Sequence, residues 1–96
     1  MPSYRVIMVV GAMRPGVDPA DVLPAAADAA RELVAVEAAT VEVVRGTARL
    51  VVRYVSPDDA TAAGVRRVVV DRTDTMAEVE ASRVYRRYGA RWYPLR

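Results

Sequence analysis

The chain of 96 residues has no cysteine, no histidine, no lysine and no phenylalanine. Without cysteine there is no disulfide framework and no thiol chemistry. Without histidine, the commonest metal ligand and the commonest neutral-pH acid–base group are both missing. Ser3, Ser56 and Ser82 therefore have no imidazole to activate them. Without lysine, Schiff-base and P-loop lysine chemistry are excluded. No apolar run approaches the ~20 residues of a membrane-spanning helix. No Gly-rich phosphate loop and no ligand-spaced acidic cluster is present. These absences lead us to expect a soluble, cytoplasmic, non-enzymatic protein, with no cofactor, no metal and no membrane partner.

What is present suits one domain over residues 1–96. The hydrophobic fraction is 53%, mostly Ala and Val, so the expected core is built from small and β-branched side chains. All 14 basic residues are arginine, each a planar fork that can pair bidentately or stack on aromatic rings. Their placement is uneven. Residues 83–96 hold five arginines and no acid, whereas all 12 acids lie before residue 83. A net-acidic body thus carries a basic end.

Tyr4 to Val10 reads as a strand, ended by Gly11 and followed by a loop over residues 12–20. A helix is expected over 21–36, with Asp21 as N-cap, Pro24 in the first turn and a stripe of Val22, Ala26, Ala29, Leu33 and Val36. Strands follow over 40–45 and 48–55, joined by Gly46-Thr47 in a type II′ turn. Their alternation puts Glu42, Arg49 and Arg53 on one face, where a Glu–Arg pair across strands is expected. Ser56-Pro57-Asp58-Asp59 opens a second helix over 57–71, with serine as N-cap. Met76 to Tyr88 is the next strand, with Ala77, Val79 and Ala81 on one side, Glu78 and Glu80 on the other, and a slip in alternation near Arg83-Val84-Tyr85. Gly89-Ala90 can turn the chain into a short fifth strand over 91–93.

The order β-α-β-β-α-β with right-handed crossovers gives an antiparallel sheet with two helices on one face. The expected fold is a ferredoxin-like α+β sandwich with an extra C-terminal hairpin strand. Two helices cover one face only. The other is expected to show Ile7, Val9, Val51 and Val55, rimmed by Arg5, Arg49, Arg53 and Glu42. An apolar centre with a charged rim suits association with a second copy or another protein. A terminal segment folded over that face would hide it.

The C-terminal stretch interleaves arginine with aromatics. Arg83, Arg86, Arg87 and Arg91 with Tyr85, Tyr88 and Trp92 suit nucleic acid, guanidiniums taking phosphates while rings stack on bases. The same residues also suit an amphipathic edge hairpin kept soluble by its charges, or pairing with Asp21, Asp28, Glu32 and Glu37. RNA-recognition domains of this fold carry exposed aromatics on their central strands. Here Tyr54 alone is offered, at a core position.

Two short segments resemble known families. Met13-Arg14-Pro15-Gly16, after the first strand, resembles the loop of ACT regulatory domains, which implies a βαββαβ fold and amino-acid binding at subunit interfaces. Pro-Gly is also an ordinary turn. Pro2 is similar to the proline that tautomerases expose by removing methionine and use as a general base; Arg14 is the only partner in view. The expectation from sequence is a small module acting by protein–protein association, as a homo-oligomer or a subunit. Nucleic-acid binding and ACT-like ligand sensing are the alternatives.

Overall fold

The computed structural model describes residues 1–96. It is an α+β structure with a five-stranded antiparallel sheet and two helices. The strands are β1 (Ser3–Met13), β2 (Val36–Val44), β3 (Thr47–Val55), β4 (Ala77–Tyr88) and β5 (Arg91–Pro94). The helices are α1 (Val22–Arg31), preceded by a 3₁₀ turn at Pro19–Asp21, and α2 (Asp59–Asp74). The spatial order is β2-β3-β1-β4-β5, and every neighbouring pair is antiparallel. No helix is long and apolar enough to cross a membrane.

Period-two alternation decides the two faces of the sheet. In β1, Tyr4, Val6, Met8 and Val10 are buried, and they join Leu50, Val52 and Tyr54 of β3 and Val84 of β4. Val22, Ala26 and Ala30 of α1 and Ala62, Val65 and Val69 of α2 complete this core. Both helices therefore pack on the same face. Small residues keep the helix layer close. Ala27 and Ala29 are buried as well, so α1 has an alanine underside.

Several boundaries differ from the sequence expectation, each for a local reason. β1 does not stop at Gly11 but runs on to Met13, which pairs with Ala77. The absent side chain of Gly11 leaves room for the Glu80 carboxylate, which lies where a Cβ would sit. α1 ends at Arg31, so Leu33 is exposed and Val36 belongs to β2. Asp21 makes no side-chain cap. Asp18 caps one step earlier, accepting from the Ala20 N–H at 3.0 Å and starting the 3₁₀ turn. At α2 the cap is Asp58, whose carboxylate accepts from the Thr61 N–H at 2.8 Å. Ser56 is instead buried, donating its hydroxyl to the Asp58 carbonyl. α2 continues to Asp74, so Val68-Val69-Val70 is helical, Val69 in the core and Val68 on the outside.

The β2–β3 turn is Arg45-Gly46 rather than Gly46-Thr47. Val44 pairs with Thr47, and both turn residues have positive φ (52° and 78°), the signature of type I′ rather than II′. Glu42 and Arg49 stand directly opposite each other but form no ion pair; the cross-strand pair is Arg53 with Glu37 instead. At the second hairpin Tyr88 pairs with Arg91 around Gly89-Ala90, with Gly89 at positive φ, as the sequence suggested. The slip in β4 lies at Glu80, not at 83–85. Ala81 pairs with Val9 and Val79 with Val10, which leaves Glu80 as the extra residue of a bulge. Ala77 and Val79 face the helices, but Ala81 is turned to the opposite side.

Candidate functional site

The sheet face without helices is the most chemically distinctive surface. Strand register brings Arg5, Ile7 and Val9 of β1 together with Arg49, Val51, Arg53 and Val55 of β3. From the other side β4 supplies Ala81, Arg83, Tyr85 and Arg87, and β5 supplies Trp92 opposite Arg87. The four apolar residues expected to share this face do share it. Val51 is buried, and Ile7, Val9 and Val55 are partly buried. Ile7 and Val51 are paired directly, and arginines adjoin them: Arg83 on the far side of Ile7, Arg5 beside Arg53 in one neighbouring row and Arg49 beside Val9 in the other.

The expected C-terminal cluster splits in two, because neighbours along a strand point to opposite sides. Arg83, Tyr85, Arg87 and Trp92 lie on the open face. Arg86 and Tyr88 lie on the helix side, and Arg91 shares the position opposite Tyr88. Sequence reasoning over the terminal segment alone missed that Arg5 and Arg53, far away in the chain, complete the open-face group. Their parity in β1 and β3 was the available signal.

Trp92 organises this group. The Arg5 guanidinium carbon lies 4.6 Å from the indole centroid, that of Arg53 at 5.4 Å and that of Arg87 at 5.9 Å. Arg5 also lies 5.5 Å from the Tyr85 ring. A guanidinium stacked on an aromatic face is attracted by the ring quadrupole and keeps its N–H edge free to donate. Of the five open-face arginines, Arg53 alone has an ion pair, with Glu37 at 3.2 Å. Glu37 also accepts from the Ser3 hydroxyl at 2.8 Å, and that bond, ahead of Arg53, holds its carboxyl below the usual range. The Nε atoms of Arg5 and Arg49 are buried without an acceptor from the chain.

The reverse side behaves differently. Arg86 is paired with Asp59 at 2.8 Å, and the Tyr4 hydroxyl donates to the same Asp59 oxygen at 2.7 Å. The Tyr4 bond first and the Arg86 bond second hold the Asp59 carboxyl low, while Arg86 is raised in return. Arg86 also lies over Tyr88, which meets Tyr93 edge-on. This cluster ties the start of α2 to β1 and β4. No arginine of residues 83–96 forms an ion pair with Asp21, Asp28, Glu32 or Glu37; Arg31 takes Asp28 and Arg53 takes Glu37. Asp21, Asp28 and Glu32 instead rim an open groove between the helices, with Arg72 and Met76.

The two short motifs are both engaged within the chain. Arg14 donates from Nε to the Asp74 carbonyl at 3.0 Å and meets the Asp74 carboxylate at 3.3 Å. Its N–H donates to the Met76 carbonyl, so the Met13–Gly16 loop is clamped to the α2–β4 connection. The Pro2 carbonyl accepts from the Ser56 N–H at 3.1 Å, which seats it beside the end of β3. Comparison with protein-family models, with curated proteins and with solved structures finds no match to this chain.

Proposed function

We propose that the protein is a ferredoxin-like module, extended by β5, that acts by binding rather than by catalysis. Its open sheet face takes a single-stranded nucleic acid. One observation carries this reading: five guanidiniums share that face, with one carboxylate ion pair among them. The terminal guanidinium N–H groups of Arg5, Arg49, Arg53, Arg83 and Arg87 are offered to phosphates, the Nε of Arg53 and Arg87 being taken by Glu37 and the Gly89 carbonyl, and Tyr85 and Trp92 offer planar surfaces to bases. Rings from β4 and β5 thus take the place of the central-strand aromatics of RNA-recognition domains. All seven aspartates lie in the helices and the loops that lead into them, while Glu37 and Glu42 of β2 stand at one margin of the open face. Five arginines against those two carboxylates leave the face net positive, which favours a polyanion.

Association through Ile7, Val9, Val51 and Val55 is less favoured on this face, since guanidiniums would be desolvated with them. The test is a titration of labelled single-stranded oligonucleotides followed by fluorescence anisotropy at several salt concentrations. The expected log–log slope is about −0.7 per phosphate neutralised. Reversing Arg5 and Arg87 to Glu should abolish binding, whereas Arg31→Glu on α1 should not. No binding at low salt, or binding indifferent to Arg5 and Arg87, overturns the reading.

A further inference from the structure

The two edges of the sheet are not alike. β5 is four residues long, begins with Arg91, ends in Pro94 and is followed closely by Arg96, all devices that discourage further pairing. β2 has nine residues, Val36-Glu-Ala-Ala-Thr-Val-Glu-Val-Val44, with no proline, no glycine and no basic residue. Its helix-side row runs past the helices. Val41 is 53% exposed and Val43 71%, the most exposed valines of the strand. A long edge strand with bare apolar side chains is a template for another strand.

The ladder shows which backbone groups are free. Val44 and Thr47 flank a two-residue turn, and the pair closing such a hairpin exchanges hydrogen bonds. Bonding alternates along an antiparallel ladder, so Thr40, Glu42 and Val44 bond inward to β3. The N–H and C=O groups of Ala39, Val41 and Val43 point outward.

We infer that β2 pairs with β2 of a second copy of this chain, antiparallel, about a two-fold axis through Val41 and normal to the sheet. Only an axis normal to the sheet relates two antiparallel edge strands, and it requires opposing residues to lie on the same face. Of the registers this allows, the one centred on Glu42 sets two carboxylates directly opposite each other and is disfavoured. The one centred on Val41 sets Glu42 against Thr40, whose hydroxyl can donate to it. It sets Val43 against Ala39 and Val41 against itself, making one apolar band on the helix side. It also brings the acidic start of β2, at Glu37, to the basic turn at Arg45 of the other copy, twice over. Charge and hydrophobicity thus select the same register.

The axis keeps both helix layers on one side. The two arginine faces then become continuous across a ten-stranded sheet. This pairing stands independently of the nucleic-acid reading, because β2 carries none of the five arginines.

The test uses the full chain in multi-angle light scattering behind size exclusion. The expected mass is twice 10.5 kDa, and Val41→Pro or Val43→Lys should halve it. Proline at 41 removes an outward N–H and none of the β3 bonds, so circular dichroism and the unfolding midpoint should show the variant folded. Because the chain lacks cysteine, Val41→Cys gives a single thiol that should cross-link to its copy through a short bis-thiol reagent. Val68→Cys on α2 should not cross-link. A monomer at every concentration, a dimer that survives both β2 substitutions, or equal cross-linking from position 68 overturns the inference. Loss of oligonucleotide binding with the dimer intact would sink the nucleic-acid reading alone.

Discussion

The guanidinium of Arg5 lies 4.6 Å from the centre of the Trp92 ring, although β4 separates the strands that carry them. Arg53, on β3, approaches the same ring from beyond β1. One indole from the last strand is therefore held by guanidiniums from the first and third. That contact closes the short β5 hairpin onto the sheet.

Trp92→Ala should lower stability by about 1 kcal/mol, the scale of partly exposed cation–π contacts. Trp92→Phe should restore part of it. Denaturant unfolding followed by circular dichroism measures both, since the only indole is lost in each variant. An unchanged midpoint in Trp92→Ala would mean that β5 is held by its backbone bonds alone.

The Tyr4–Asp59–Arg86 cluster should make stability fall at both ends of the pH scale. Asp59, Asp58 and Glu37 are all held below their ordinary range, so they favour the folded state above the unfolded carboxylate pKa. That contribution disappears as pH falls below about 4 and through the folded values. Tyr4 moves oppositely. Burial first, then its bond to Asp59, pushes its hydroxyl up to about 12. Stability should hold below pH ~10, where an unfolded tyrosine ionises, and decline from there through 12. Burial also raises Tyr54, whose hydroxyl donates to the Ala62 carbonyl, which strengthens the alkaline arm. In Tyr4→Phe the alkaline decline should be shallower and the acid decline should shift upward. A tyrosine absorbance titration with every group near 10 would contradict this.

Arg45 occupies the left-handed region at φ 52° in a turn that favours Asn-Gly. Arg45→Asn should raise stability by about 0.5–1 kcal/mol by relieving that conformation. Gly46→Ala, at φ 78°, should lower it by about 1 kcal/mol. Paired thermal melts of the two variants give the signs directly, and shifts in the same direction would rule out the type I′ account.

Much of the architecture was legible because alternation in β1 and β3 is nearly uninterrupted. Tyr4, Val6, Met8, Val10, Leu50, Val52 and Tyr54 all mark the core side. What sequence hid was context. Val36-Glu-Ala-Ala continues a helical spacing, yet α1 stops at Arg31 and the segment joins β3 as a strand. Asp18 and Asp58 won the caps because each immediately precedes its helical turn in extended backbone, whereas Asp21 is already helical and Ser56 lies two residues before the cap. The open face was read as an apolar patch with a charged rim. In space the charges interleave with it, since Arg83, Tyr85, Arg87 and Trp92 arrive from strands whose pairing no local pattern reveals.

The bulge at Glu80 works like an inserted letter in a message read two characters at a time. Before it, odd-numbered residues such as Ala77 and Val79 are read on the helix side; after it, odd numbers are read on the other. Pairing Glu80 regularly with Val9, with no bulge, would not merely straighten β4. It would re-spell the remainder of the chain, sending Tyr85, Arg87 and Trp92 inward and Val84 outward. The identity of the open face is therefore written less in its own side chains than in the count of residues that precede them.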